Sequence, residues 1–293
     1  MEKRSKICII GSNGQLGTDL CKVLKINHQI LPLKHKDIEI SNFSSVTSAL
    51  NKKNIDIVIN TAAFHAVDLC EKKLNKAMQV NSYGVLNLAK FCKKNNIVLA
   101  HISTDYVFGA DKERKKPYKE TDLPNPSNKY GLSKLTGEYF IKLVGPKYFI
   151  VRTAGLYGAK GPSGKGKNFV DLMLFLATQG QTIRVVNDQF SSHTYTLDLA
   201  ENIEKLISSK KYGMYHIANT GSCSWFEFAK KIFTLTARKP KLEAVSSKEF
   251  PTIARRPFYS VIDNFNLKQA RLDVMPSWEK GLRRYLNQKA LVI

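Results

Sequence analysis

Short apolar runs rich in isoleucine, leucine and valine recur through the first half of the chain, separated by longer stretches whose apolar positions return at helical spacing. The runs Ile7–Ile10, Ile30–Leu33, Ile55–Ile59, Ile97–Ile102 and Tyr148–Val151 predict strands. Helices are predicted between them over Gln15–Lys25, Ser44–Lys53, Ala77–Lys94 and Asn128–Val144. Uniformly apolar strands are buried on both faces, and such strands alternating with helices make a parallel, doubly wound α/β sheet. The rhythm breaks at Gly109–Ser127, a charged stretch with Pro117, Pro124 and Pro126 that predicts a long loop. A second break, Gly158–Gly166, carries Gly161, Pro162 and Gly164 and predicts a mobile turn. Beyond it the pattern predicts a helix over Asn168–Thr178, a strand over Ile183–Val186, a helix over Thr196–Ser208 and a strand over Met214–Ile217. Two further helices, Trp225–Leu235 and Trp278–Leu286, are joined by proline-containing loops.

Composition narrows this picture without changing it. With 293 residues, 43% of them hydrophobic, the chain can bury a large core. No apolar run approaches the ~20 residues that cross a bilayer. The basic residues before Ile7–Ile10 are followed by too short an apolar stretch for a signal peptide, so this run reads as the first strand. Five scattered cysteines without CxxC spacing predict free thiols in a reducing cytoplasm, and neither a disulfide framework nor a zinc site. The net charge of +22 raises nucleic-acid binding as an alternative. However, the lysines are spread along the chain, with only short clusters such as Lys112–Lys116, and no nucleic-acid module accompanies them. The expectation is a lysine-rich surface that attracts small anions, with no nucleic-acid or membrane partner.

Gly11-Ser12-Asn13-Gly14-Gln15-Leu16-Gly17 follows the first predicted strand and opens a helix. Gly11 permits a tight turn, Gly14 a close approach to a pyrophosphate, and Gly17 close packing of helix on strand. This places a dinucleotide at the turn and makes the fold Rossmann-type. At the end of the second strand an acidic residue would bind the ribose hydroxyl of NAD, whereas a cation would take the 2′-phosphate of NADP. Lys34-His35-Lys36 stands there, so NADPH is expected, with NADH the alternative. The small residues Ala62 and Ala63 at the end of the third strand leave room for adenosine and ribose. Residues 1–155 are expected to form the cofactor-binding domain, rejoined by elements from about 183–218. Residues 156–182 and 219–293 would form a smaller substrate-binding lobe over the strand ends.

Tyr130 and Lys134 are one helical turn apart. A free phenol, with a pKa of about 10, is a poor proton donor near neutrality, and a neighbouring ammonium would lower that value. Thr104, at the end of another strand, can add a hydroxyl for a substrate carbonyl.

With these residues in place, the chain resembles the extended short-chain dehydrogenase/reductase family, most closely its dTDP-4-dehydrorhamnose reductase group. The similar stretches span nearly the whole length and include GSNGQLG, NTAAFHAVDLCE, STDYVFGA, SNKYGLSKLTGE and YHIANTGSCSWFEFAKKI. The resemblance implies hydride transfer from a nicotinamide to the 4-keto group of a nucleotide-activated 6-deoxysugar, in deoxysugar and surface polysaccharide biosynthesis. It makes Tyr130 the general acid, Lys134 its partner, Thr104 the ligand of the keto oxygen and Asp105 a neighbour of the substrate. Gly14, Gln15, Leu16, Ala62, Ala63 and Phe64 would line the cofactor, with Glu39 and Ile40 near the adenine. Asn168 and Arg256 are candidate substrate contacts, because a diphosphate needs at least one cation. Within the same fold, an epimerase and a non-catalytic NADP-binding regulatory subunit are the alternatives, and some relatives form homodimers.

Three positions depart from the group. Gly155 stands where an aromatic residue usually packs on the sugar, which predicts a roomier subsite. His193 replaces a proline and reads as a solvated turn residue, or else as a substrate ligand. Some relatives dimerise through a metal, but of the matching positions Asp19 is acidic and Leu197 is not, so no metal is expected.

Overall fold

The computed structural model describes residues 4–161 and 166–292. Among them, six parallel strands form the central sheet: β1 Lys6–Ile10, β2 Gln29–Leu33, β3 Ile57–Asn60, β4 Val98–Thr104, β5 Tyr148–Thr153, and Gly213–His216. Their order is Gly213–His216, β5, β4, β3, β1, β2. The chain first moves outward from β1 to β2, then returns across β1 to place β3 on the other side. That reversal opens a crevice at the carboxyl ends of β1 and β3, where folds of this class bind ligands.

The absence of alternation in β1 has a direct cause. Ile7 and Ile9 pack with Leu16, Leu20, Leu199 and Ile203 on one face of the sheet. Cys8 and Ile10 pack with Val46, Leu50, Val85 and Leu88 on the other. Helices thus cover both faces, and each strand residue is core on one side or the other.

Two segments differ from the pattern-based expectation. The helix expected over Ala77–Lys94 is Leu74–Met78, a π-helical turn Gln79–Tyr83, and Gly84–Lys94. The wide turn brings Asn81 inside, where its side chain accepts from Phe64 N at 2.8 Å and donates to Ser133 Oγ at 2.9 Å. The strand Ile183–Val186 pairs with Leu242–Val245 and not with the central sheet. Ile183 and Val185 pack with Tyr157, Val170, Phe228 and Leu282, a separate core. The chain therefore rejoins the sheet layers with the helix Thr196–Ser209, later than the expected residue 183. Of the turn expected over Gly158–Gly166, Pro162 and Gly164 lie outside the described residues.

The helix Lys129–Val144 is fixed to the sheet by an ion pair that has no access to water. Arg152 of β5 meets Glu138 in bidentate fashion, at 2.9 Å from Nε and 2.6 Å from Nη2. Ser103 of β4 donates to the same carboxylate at 2.5 Å, and the guanidinium lies over the Phe108 ring. Glu138 is 0% exposed and Arg152 1%. Removing one member of such a pair strands the other in a medium that cannot solvate it, at a cost of about 3–5 kcal/mol. Glu138→Gln should lower the denaturant midpoint accordingly in equilibrium unfolding; a loss below about 1 kcal/mol would show that the pair does not hold the helix.

Candidate functional site

The helix Gln15–Leu24 begins at Gly14 with no side-chain cap and no acidic residue in its first turn. Its opening amides are therefore available to an anion, which the helix dipole favours. Gly17 packs so tightly on the preceding turn that a Cβ would lie 2.2 Å from Gly11 O. Ser12 Oγ and Gln15 Oε1 are buried here without a protein partner. An uncapped helix start beside unpartnered polar atoms fits the pyrophosphate of a dinucleotide. From this turn a cleft of about 650 Å³ extends across the ends of β1, β3 and β4.

At the far end of the cleft stand Thr104, Asp105, Tyr130 and Lys134. The helix carrying Tyr130 starts at Asn128, whose side chain accepts from Gly131 N at 2.9 Å and donates to Arg255 O at 3.0 Å. Burial pushes the Tyr130 phenol up, and hydrogen bonding with Thr104 works against that shift. Lys134 is not a counterweight: its Nζ donates to Ile102 O at 2.6 Å and lies 3.1 Å from His101 Nε2. The expected lowering of the phenol by a neighbouring ammonium is thus absent from this arrangement.

Lys134 lies in a buried chain of contacts with His101 and Asn60. Asn60 Oδ1 accepts from Ala62 N at 3.1 Å, and Asn60 Nδ2 lies 3.1 Å from His101 Nδ1. Burial first, and then the charge of Lys134, push the His101 imidazole well below its ordinary pKa, and the ring's tautomer decides which partner donates at each contact. Burial also pulls the Lys134 pKa down to about 7, with Glu138 opposing. Asp105 is buried too, which pushes its carboxyl up to about 6 against hydrogen bonds from Ser260 at 2.6 Å and Thr104 at 3.0 Å.

Of the residues expected from the sequence, Gly11, Gly14, Gln15, Leu16, Gly17, His35, Glu39, Ile40, Ala62, Ala63, Phe64, Thr104, Asp105, Tyr130, Lys134 and Asn168 line this one cleft. Lys34 and Arg256 do not. Lys34 lies in a turn closed by its own N–H on Asp37 at 2.8 Å, which leaves its side chain exposed in solvent. Arg256 is ion-paired to Asp68 at 2.9 Å, and Asp68 also accepts from Ala254 N. Asn168 reaches the cleft wall, but its side chain caps the helix Phe169–Leu176 and bonds Gly158 O and Tyr285 OH. His193 is neither a solvated turn residue nor in the cleft wall: it is 0% exposed and stacked on Phe228. Asp19 accepts from Thr196 Oγ1, and among the described residues no three ligating side chains are grouped for a metal.

Sequence reasoning missed Lys76, a cation in the cleft wall; Asn81 and His101, which hold the loop and the lysine; and Trp225. Asn81 was hidden in a segment that reads as one continuous amphipathic helix, Ala77–Lys94, and Lys76 stands just before it. His101 sits inside an apolar strand, the one polar interruption of Val98–Ile102, and that interruption was the available signal.

The chain matches the family described as RmlD substrate binding domain over residues 5–291. It is 38% identical over 288 residues to the spore coat polysaccharide biosynthesis protein SpsK of Bacillus subtilis, covering 98% of each chain. It is 36% identical to the dTDP-4-dehydrorhamnose reductase of Aggregatibacter actinomycetemcomitans, covering 95% of this chain and 97% of that one. Among solved structures, the dTDP-4-dehydrorhamnose reductase of Bacillus anthracis in complex with NADP superposes with a TM-score of 0.92 at 41% identity, covering 98% of this chain and 100% of that one.

The buried Lys134 has a titration signature. With its pKa near 7, the amine is protonated below that pH and neutral above it, while the unfolded chain holds the proton to about pH 10. Between those values the unfolded state binds more protons, so this group makes stability rise with pH. In ligand-free protein labelled at lysine Cε, one resonance should titrate near pH 7 and vanish in Lys134→Met. Titration of every lysine at about pH 10 would show that burial does not depress this amine.

Proposed function

The chain belongs to the RmlD substrate binding domain family, and we propose from this membership and its cleft that it is an NADPH-dependent reductase of the 4-keto group of a nucleotide-activated 6-deoxysugar. The observation that carries the reading is the meeting of Thr104, Tyr130 and Lys134 in the same cleft that begins at the uncapped helix after β1. When bound, NADPH supplies the hydride that reduces the sugar ketone at C4.

Each protein group has a defined task in this reading. The opening amides at Gln15 and Leu16, with the Gly11–Gly14 turn, hold the pyrophosphate. Ala62, Ala63 and Phe64 flank the ribose side, while Glu39 and Ile40 border the adenosine. Lys76, as the cation, and His35, as a hydrogen-bonding ring, replace Lys34 at the 2′-phosphate, since both line the cleft. Thr104 Oγ1, whose proton goes to Asp105 in the free protein, turns that proton to the substrate keto oxygen. Tyr130 Oη gives its proton to the oxyanion formed at that atom. Lys134 bonds the nicotinamide ribose and, once protonated, stabilises the phenolate left on Tyr130. A non-catalytic NADP-binding subunit would have no use for the phenol beside Thr104.

The thiols of Cys8, Cys21, Cys92 and Cys223 are free, which supports a cytoplasmic setting, and no helix of the described residues is long and apolar enough to cross a membrane. A homodimer belongs to the same proposal. Its support is an exposed apolar stripe of Leu132, Tyr139 and Leu143 beside Tyr83, on the surface of the Lys129–Val144 helix.

Assay of the protein with NADPH and dTDP-4-dehydrorhamnose tests the activity. Tyr130→Phe should reduce turnover by ~10²–10⁴-fold while leaving NADPH binding intact, and near-normal turnover would place the acid elsewhere. Cofactor choice has its own test. His35→Ala combined with Lys76→Met removes these contacts to the 2′-phosphate, so the ratio of NADPH to NADH affinity should fall about ten- to hundredfold. An unchanged ratio, measured by calorimetric titration of both cofactors, would assign that phosphate to other groups.

A further inference from the structure

Gly155 follows β5 with a left-handed backbone, φ 54°. A Cβ at this position would lie 2.8 Å from His193 Nδ1 and 3.1 Å from its Cα. The space that an aromatic side chain would need is therefore filled from behind by His193. The ring of His193 stacks on Phe228 with centroids 4.2 Å apart and 17° between planes, and meets the indole of Trp225 at 4.3 Å. Phe169 meets the same indole at 4.6 Å. Trp225 is the first residue of the helix Trp225–Leu235, whose start is set by a capping box between Ser224 and Glu227. Two rings, His193 and Phe169, both backed by Phe228, and a capped helix start thus hold the indole.

The part of the indole that stays exposed borders two spaces at once. It lines the long cleft, and it lines a side pocket of about 220 Å³ that opens beside Thr104 and Tyr130. Polar groups line the same pocket: Asp105, Ser191 and Ser260, with Ser260 donating to Asp105 at 2.6 Å. An aromatic plane facing a few hydroxyl and carboxyl groups is what an amphipathic ring requires. A 6-deoxyhexose is such a ring, with an apolar face of C–H bonds and a methyl group, and with hydroxyls at its edge.

We propose that Trp225, wedged by His193 opposite Gly155, is the aromatic wall of the sugar subsite and decides which 4-keto sugar is accepted. The side pocket takes the 6-deoxyhexose with its apolar face on the indole and its hydroxyls toward Asp105, Ser191 and Ser260. The subsite is not simply wider where Gly155 stands: His193 closes the space beside the glycine, and Trp225 supplies the aromatic surface from the start of the helix Trp225–Leu235. This rests on the nucleotide-sugar reading given above, and bare dTDP separates the two claims because it lacks the sugar.

The chain contains two tryptophans, Trp225 and the buried Trp278. In Trp278→Phe protein, Trp225 is the sole indole reporter. Titration with dTDP-rhamnose should change its emission, whereas bare dTDP, bound as judged by calorimetry, should leave it nearly unchanged. In Trp225→Ala the dissociation constant for dTDP-rhamnose should rise about tenfold or more with that for dTDP within about twofold, and Trp225→Phe should recover part of the loss. Equal affinity of Trp225→Ala and unmodified protein for dTDP-rhamnose would overturn the proposal. So would an unchanged Trp225 emission on saturation, a readout that does not depend on the alanine variant folding. Failure of the unmodified protein to bind either nucleotide would instead sink the nucleotide-sugar reading, and this inference with it.

Discussion

The helix bearing Tyr130 and Lys134 lies where it does because Glu138, one turn beyond Lys134, is ion-paired to Arg152 inside the protein. Nothing weaker would fix its register against the strand ends. An apolar contact at that place could slide by a fraction of a turn, whereas a bidentate pair in a dry interior has one geometry. The desolvation cost of the two charges is considerable, so the pair contributes position more than stability. Asn81 and Ser82, delivered by the π-helical turn, bond the same helix at Ser133 from its other side. Thr104, Tyr130 and the loop at Phe64 are all located relative to this frame.

Electrostatics in the cleft follow from the same burial. Lys134 is packed against His101 and the Ile102 carbonyl, where burial disfavours its charge while the carbonyl and Glu138 favour it. An anionic ligand in the cleft shifts that balance toward the ammonium, and the positive surface of a chain with net charge +22 favours arrival of such a ligand. Asp105, held up near 6 by burial, sits within reach of the same site and shares in its pH response. Charge at the reacting end is therefore set by what binds, while the glycine turn at the other end offers its amides at any pH.

The strands and the glycine turn were legible because they obey local rules: buried runs, and a turn that only small residues can make. The i, i+4 pair of Tyr130 and Lys134 was equally local. What escaped were residues whose roles depend on contacts far apart in sequence. Lys34 is adjacent to His35, yet a turn closed by Asp37 sends it to solvent, while Lys76 arrives from a distant helix. Arg256 has the right chemistry for a phosphate, and its Nη2 is paired with Asp68, 188 residues away, while its buried Nη1 has no protein partner. Gly155 read as an empty space, since nothing in its neighbourhood announces His193 or Trp225. Pairing of Ile183–Val186 with Leu242–Val245 was hidden for the same reason: an apolar strand shows that it is buried, not against which partner.

The central claim is that one cleft delivers a hydride from NADPH to a sugar ketone and a proton from Tyr130 to its oxygen. The most direct measurement uses NADPH deuterated at the nicotinamide C4 with dTDP-4-dehydrorhamnose, followed by NMR of the sugar product. The account predicts deuterium at sugar C4, from one face of the cofactor only, and none at the other carbons. Product lacking deuterium when either face is labelled, or sugar recovered unreduced with NADPH bound, would contradict it.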